Sequence, residues 1–209
     1  MLTRDIALKW FLFTERWEWH CLNVASISEK LAKQIGVDSE YAFIYGLVHD
    51  IGRKTNNGKL NPKSHPVEGY KFLTEGENSG KGYEKIAMSC ITHTFPDLND
   101  ITIVPGMCHP DWDKKERRFD EIDTFITLKL EKYTPTIYDT IVLLADLMSG
   151  NNTTITIEQR LINAYTRFGD KPNKLLVYSA IEKRKSELEK LITSGLTIEE
   201  IVGLKKQKN

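Results

Sequence analysis

Residues 42–54 read AFIYGLVHDIGRK, an apolar run that ends in a histidine–aspartate pair. The run predicts a buried helix over about 39–51, capped by Asp38 at its start and stopped near Gly52. His49 and Asp50 are therefore expected inside the protein, where unpaired ionisable side chains are costly to bury. A divalent or trivalent metal ion is the simplest compensating partner.

Four more metal-ligand side chains lie on or beside apolar segments of the same kind. They are His20, His65, His93 and Asp146. Adjacent residues of a helix point about 100° apart, so His49 and Asp50 converge on one ion only where the helix loosens at its end. Helical proteins build metal sites from side chains of several helices that meet in one cavity. The spacing therefore favours a metal site between helix ends.

Helical periodicity dominates the chain and predicts an all-α fold. A two-residue alternation of strand length is limited to the short run at 101–105. The expected helices are 3–16, 18–35, 39–51, one that begins at Ser64–His65, 83–93, 115–132, 137–149, 156–168, 172–194 and 197–204. Gly, Pro and Asn clusters predict loops at 52–64, 75–82 and 94–113.

The bulk composition predicts one soluble domain over residues 1–209, with two domains as the weaker alternative. The chain has 40% hydrophobic residues, and its 29 basic side chains balance 29 acidic ones. Because the net charge is zero, the protein as a whole has no positive electrostatic field that would attract nucleic acid or an anionic membrane. Three cysteines without close pairing, no evident signal peptide and no apolar run of transmembrane length predict a cytoplasmic protein with reduced thiols.

The order of these ligands, with the strings LVHDIGRK (47–54) and LLADLMSG (143–150), resembles the HD-domain metal-dependent phosphohydrolases. The strings HPVEGYKFL (65–73) and CITHT (90–94) are similar to the six-ligand, two-metal branch of that superfamily. That branch includes the bacterial HD-type diadenosine-tetraphosphate hydrolases and the HD-GYP cyclic-dinucleotide phosphodiesterases. The chain lacks the Gly-Tyr-Pro signature of the second group. The resemblance covers about residues 18–150 and implies a single HD-type helical bundle with its core at 18–150 and C-terminal helices at 156–204 packed on that core.

The resemblance implies a ligand set and a cofactor. One ion would be held by His20, His49, Asp50 and Asp146, and a second by His65 and His93, with Asp50 bridging. Imidazole and carboxylate ligands suit iron or manganese, with zinc, cobalt and nickel as alternatives, better than magnesium. The implied reaction is hydrolysis of a phosphoester or phosphoanhydride, in a small phosphorylated substrate such as a nucleotide, by a metal-bound hydroxide.

Basic residues next to the metal pair are the candidates for contacting phosphate. Arg53 and Lys54 directly follow the pair, and the resemblance places a lysine near this point, so either of them can meet substrate. Lys59 and Lys63 lie in the same predicted loop. Arg160 and Arg167 share one helix and are surface residues unless that helix covers the metal cavity. His109 is expected to be a loop residue.

Simpler explanations remain open for each feature taken alone. His49-Asp50 can be a structural pair at a helix end, His20 a core histidine, and His65 a first-turn residue. If His65 or His93 is not a metal ligand, the site would hold only one metal ion. The expected function would then be that of a single-metal nucleoside-monophosphate phosphatase. The aromatic residues between Trp10 and Trp19 are expected to be packing rather than a base-stacking platform.

Two further functions are compatible with the ligand pattern. A diiron oxygenase of the same superfamily uses a similar ligand set, and the basic loop separates it poorly from a hydrolase. A binding or regulatory module without turnover would be expected to lack one of the metal-ligating residues, and all six are present in this sequence.

Overall fold

The computed structural model describes residues 2–54, 64–100, 121–150, 153–168 and 174–204. These residues form α-helices connected by turns and two short 3-10 helices, and the predicted all-α fold is confirmed. The α-helices are α1 (Arg4–Leu8), α2 (Arg16–Ile35), α3 (Ser39–Val48), α4 (His65–Thr74), α5 (Glu84–Ala87), α6 (Ser89–Thr92), α7 (Glu121–Glu131), α8 (Ile137–Met148), α9 (Ile157–Phe168), α10 (Lys174–Glu189) and α11 (Ile198–Ile201). The 3-10 helices are Ile51–Arg53 and Gly76–Asn78.

The caps of α2 and α3 follow the sequence signals. Gly36 ends α2 in the left-handed conformation, with φ 73°, which costs glycine little. Asp38 begins α3, and its side chain accepts a hydrogen bond of 3.0 Å from the amide of Tyr41. The predicted strand at 101–105 and the first part of the helix expected from 115 lie outside the described residues.

The helix predicted over 3–16 is wrong beyond Leu8, because a side-chain carboxylate accepts hydrogen bonds from backbone amides that a continuous helix would use. Glu18 is buried, and its side chain accepts hydrogen bonds from the amides of Leu12, Thr14 and Glu15 at 2.8–3.0 Å. Burial acts to raise the pKa of Glu18, but these backbone hydrogen bonds hold it below its ordinary value. The chain therefore turns before α2.

Helix α3 is the centre of the fold and packs against both α2 and α8. Every residue from Ala42 to Val48 is buried, as expected for a helix that is apolar on all sides. Burying each large aliphatic or aromatic side chain contributes about 1.5–3 kcal/mol. Gly46 permits the close approach of α2, since a Cβ there would lie 2.8 Å from Ser28 Oγ and 3.0 Å from Ala25 Cα.

The buried apolar residues form one cluster that runs from Leu2 to Val202, so helices after residue 150 also contribute to it. The predicted helix over 83–93 is interrupted at Met88, and α3 is shorter than predicted because a 3-10 turn follows it. Among the described residues, none of the helices combines the length and apolar character that crossing a membrane requires.

Gly52 provides a test of how tightly the 3-10 turn after α3 packs on α4. A Cβ at Gly52 would overlap the carbonyl oxygen of His65 and lie 2.5 Å from the amide nitrogen of Gly69. We expect Gly52→Ala to lower the free energy of unfolding, measured by urea denaturation, by about 3 kcal/mol. Gly82→Ala is the control, because a Cβ there meets no atom within 4 Å. Only the left-handed backbone, at about 1 kcal/mol, opposes that change, and an equal loss in both variants would contradict the expected packing.

Candidate metal centre

Helix ends carry most of the predicted ligands. His49 is the C-terminal cap of α3, and Asp50 begins the 3-10 turn that follows. His65 is the first residue of α4, and His93 caps the end of α6. Asp146 lies in the last turn of α8. His20 is the exception, at the fifth residue of α2.

The structure brings these six side chains into one cluster with two sides. On one side, His20 Nε2 lies 2.9 Å from Asp146 Oδ1, and His49 Nε2 lies 3.9 Å from the same oxygen. His49 Nε2 is also 3.6 Å from Asp50 Oδ2, so this imidazole lies between the two carboxylates. The predicted convergence of His20, His49 and Asp146 is therefore present in the structure.

On the other side, two imidazoles face the second oxygen of Asp50. His65 Nε2 lies 3.2 Å and His93 Nε2 3.6 Å from Asp50 Oδ1. The two Nε2 atoms are 3.4 Å apart. Asp50 thus directs one carboxylate oxygen toward each side of the cluster.

Backbone carbonyls fix the orientation of two rings. His49 Nδ1 lies 2.7 Å from the carbonyl oxygen of Gly46, and His93 Nδ1 lies 2.8 Å from that of Ser89. A carbonyl oxygen only accepts, so each Nδ1 carries a proton and donates it. In the neutral ring, Nε2 then holds a lone pair that points into the cluster, the arrangement found in metal-ligating histidines.

Side chains that the sequence did not indicate orient the third ring. Ser149 Oγ lies 2.9 Å from His20 Nδ1 and accepts a hydrogen bond of 2.9 Å from Asn23 Nδ2. Ser149 comes three residues after Asp146, and Asn23 three residues after His20. Such i,i+3 polar neighbours of a ligand on a helix were the signal that could have identified them.

The centre of the cluster is buried, and its electrostatics follow from that. His49 is fully buried and Asp50 is 2% exposed, whereas His20 and Asp146 are half-buried. Burial raises the pKa of Asp50, but the Arg53 guanidinium and the neighbouring imidazoles of His49 and His65 outweigh it and hold the pKa well below its usual range. Burial lowers the pKa of His49, and that of His93 to about 3. The neutral imidazoles of His49 and His93 therefore face the ionised carboxylate of Asp50.

Three polar atoms of the cluster are buried without a hydrogen bond from any described group. They are His49 Nε2, Asp50 Oδ1 and His65 Nδ1. Each unsatisfied polar group of this kind costs about 1–3 kcal/mol. A bound cation removes this cost for lone pairs that point toward it.

The separations between ligand atoms match what one ion requires. Two ligands at about 2.1 Å from a metal lie about 3–4 Å apart, and the distances in the cluster run from 2.9 to 3.9 Å. Two trios have donor atoms within 4.8 Å of one another: His20, His49 and Asp146, and His49, Asp50 and His93. The residues present therefore fit a centre of nitrogen and oxygen ligands.

The predicted phosphate-binding residues are already engaged. Arg53 Nε donates to Asp50 Oδ2 at 2.5 Å, which ties this guanidinium to the cluster. The Lys54 ammonium donates to the carbonyl of Trp10 at 3.0 Å, and the side chain is exposed. Contact of either residue with substrate stays a prediction. Lys59, Lys63 and His109 lie outside the described residues.

Two thiols adjoin the cluster and remain free, as the sequence predicted for Cys21 and Cys90. Both are fully buried, and Cys90 Sγ donates to the carbonyl of Val48 at 3.2 Å. Burial, reinforced by the charge of Asp50, raises the pKa of both thiols well above the ordinary value. They are therefore protonated at neutral pH.

A pocket of about 420 Å³ lies along α2, the helix that carries His20. Its described lining is one face of α2, formed by Trp19, Leu22, Asn23 and Ser26. Asn23 links the pocket to the cluster through Ser149. The Trp19 side chain is 51% exposed, unlike the packed aromatic residue Phe11. This volume falls within the range of small-molecule sites, about 300–1,000 Å³.

Comparison with protein families identifies the segment that carries this cluster. The family model described as HD domain matches residues 18–150, more than half of the chain. All six clustered residues lie within the match. No curated protein and no solved structure matches the chain.

The buried histidines predict a pH-dependent stability for the metal-free protein. His93 has a folded-state pKa of about 3 against an ordinary value of 6.5, so between these values the unfolded chain binds the extra proton. Stability is therefore lost as the pH falls below about 6.5. We expect urea denaturation to show about 1 kcal/mol less stability from this residue at pH 5.5 than at pH 7. His93→Gln should flatten the dependence, and an unchanged slope would contradict the neutral, buried state of His93.

Ser149 should act on the metal through His20. We expect Ser149→Ala to weaken metal affinity by about 10- to 100-fold, because the His20 ring loses the group that orients it. Competition with a chromophoric chelator measures this. Ser186→Ala, at an exposed position of α10, is the matched control and should leave affinity unchanged. Equal affinities in the two variants would show that Ser149 does not position the ligand.

Proposed function

The chain belongs to the HD-domain family, and on this premise we propose that it is a metal-dependent phosphohydrolase acting on a small phosphorylated substrate. The observation that carries the proposal is the convergence of four imidazoles and two carboxylates, most of them buried, with unsatisfied polar atoms on His49 and Asp50. Burying polar groups of this kind is costly unless a partner compensates them. Metal-dependent phosphohydrolases are the enzymes that the family implies.

We further propose that two ions occupy the two sides of the cluster. His20, His49, Asp50 and Asp146 would hold one ion, and His65, His93 and Asp50 the other. The placement of Asp50, with Oδ2 near His49 and Oδ1 near His65, supports a bridging role. Iron or manganese suits this mixed nitrogen and oxygen set, and zinc, cobalt or nickel are the alternatives.

Bound metal ions supply Lewis acidity toward phosphoryl oxygens and lower the pKa of a coordinated water. The residues of this chain do the rest. Asp50 and Asp146 stay ionised and anchor positive charge in a buried site, and backbone carbonyls hold the rings of His49 and His93 in place. In the reaction, a water oxygen forms a bond to phosphorus while the bond to the leaving oxygen breaks.

The substrate proposed is a nucleotide or a related small molecule. The pocket on α2, the helix that carries His20, gives room for the part of the substrate that does not react. The half-exposed indole of Trp19 presents a face on which a planar ring can stack. Arg53 is held at Asp50, where its charge can also face a phosphate oxygen.

The experiment combines metal analysis with substrate turnover. Protein reconstituted with Mn²⁺ or, without oxygen, Fe²⁺ is analysed for metal content and tested for phosphate release from nucleoside mono-, di- and triphosphates and dinucleoside polyphosphates. We expect Asp50→Asn to reduce both metal content and turnover, the latter by about a hundredfold or more. Asp5→Asn, at an exposed position of α1, is the matched control and should change neither.

The alternatives give different results in the same experiment. A single-metal phosphatase would keep its activity and metal content in His65→Ala, whereas a two-metal enzyme would lose one ion and most of its turnover. A diiron oxygenase would consume dioxygen with its substrate and release no phosphate without oxygen. Protein that retains no metal after reconstitution and hydrolyses none of these compounds would overturn the proposal.

A further inference from the structure

Helix α9 packs against α8, the helix that carries Asp146, after a reversal of the chain. The amide of Gly150 donates to the carbonyl of Thr153 at 2.8 Å, and that of Ile155 to the carbonyl of Met148 at 2.9 Å. These bonds return the chain against α8, and α8 and α9 are in contact. Arg160 is the fourth residue of α9, so it lies in the helical turn nearest this reversal.

The Arg160 guanidinium has a buried donor that no described residue satisfies. The residue is half-buried, and its Nε is fully buried without a hydrogen-bond partner among the described residues. The other described arginines that are half-buried are engaged: Arg4 with Glu29 and Glu40, Arg53 with Asp50, and Arg184 with Thr140 and the carbonyl of Pro96. A guanidinium that is partly removed from water without an acceptor is costly, which indicates that an anion completes it.

Arg160 also lies close enough to the cluster for its charge to act there. It is among the groups that lower the pKa of Asp146, after burial, which raises that pKa, and the interactions with His20 and His49. It makes no hydrogen bond to Asp146, whose Oδ1 is engaged by His20. The buried Nε–H of Arg160 therefore remains as a donor for a second anion beside the cluster.

We propose that Arg160 is a substrate-binding residue that holds phosphate oxygens at the metal cluster. This inference rests on the proposed phosphohydrolase function and names a residue beyond the segment that matches the HD-domain family, 18–150. Arg53 and Lys54 are tied to Asp50 and to the Trp10 carbonyl, whereas the buried Nε of Arg160 has no hydrogen-bond partner among the described residues. Arg160 recognises the phosphate group itself, whatever base or sugar is attached to it.

The competing explanation is that Arg160 only stabilises the negative charge of Asp146. In that case its removal would weaken metal binding and leave the affinity for phosphate of the metal-loaded protein unchanged. In the proposed role, metal affinity is retained and phosphate affinity is lost. Measuring both quantities on the same variants separates the two roles.

The test is calorimetric titration of the full-length, Mn²⁺-loaded protein with inorganic phosphate, alongside metal affinity and thermal unfolding. We expect Arg160→Gln to weaken phosphate binding by about 10- to 100-fold, the cost of losing charge-assisted hydrogen bonds. Arg160→Lys keeps the charge but not the fork and should lose less, and it serves as the measure if Arg160→Gln does not fold. Lys183→Gln, an exposed single-charge loss on α10, should bind phosphate as the parent does.

Phosphate affinity equal to that of the parent in both Arg160 variants would overturn the inference, and so would a loss confined to metal affinity. If the parent protein hydrolyses phosphorylated substrates while either result holds, the proposed function stands without Arg160. If the parent binds metal but neither phosphate nor any substrate of the panel, both proposals fail together.

Discussion

The burial of Asp50 is the constraint on which the rest of the centre depends. This carboxylate is 2% exposed and stays ionised because a guanidinium and imidazoles surround it. An ionised group in such a place without compensation would destabilise the fold by several kcal/mol. The elements around it are therefore arranged to supply positive charge and donors: Arg53 from the following turn, His65 from the start of α4 and His93 from the end of α6.

The same arrangement explains why the apolar core and the polar cluster coexist. Helix α3 is buried from Ala42 to Val48, and its end delivers His49 and Asp50 into the middle of the protein. Gly46 and Gly52 allow neighbouring backbones to approach the same helix and its turn. Rings held by the carbonyls of Gly46 and Ser89 need no further side chains for orientation, so the core can remain apolar up to the edge of the cluster.

Much of this was predictable from the sequence, for local reasons. Helical periodicity, the Gly36 stop and the Asp38 cap are short-range signals, and the structure confirms the all-α fold that they predict. The six clustered side chains were predicted because rare ionisable residues interrupt apolar runs, and the structure brings them together.

The remaining features depend on contacts between distant parts of the chain. The helix expected over 3–16 fails because Glu18 captures amides before it. Ser149 meets His20 across 129 positions, and the place of Arg160 depends on a reversal of the chain after α8. Local sequence patterns do not indicate which residues far apart in the chain come into contact.

The two buried thiols beside the cluster are held in their less reactive, protonated form. Cys21 and Cys90 adjoin the polar cluster, yet burial and the charge of Asp50 keep them protonated, and Cys90 is directed to a backbone carbonyl. In the metal-free protein, neither sulfur is therefore present as the thiolate, which is the form that soft ions such as monovalent copper bind. The same protonation withholds the thiolate that oxidants attack, which makes the surroundings of a redox-active ion chemically durable.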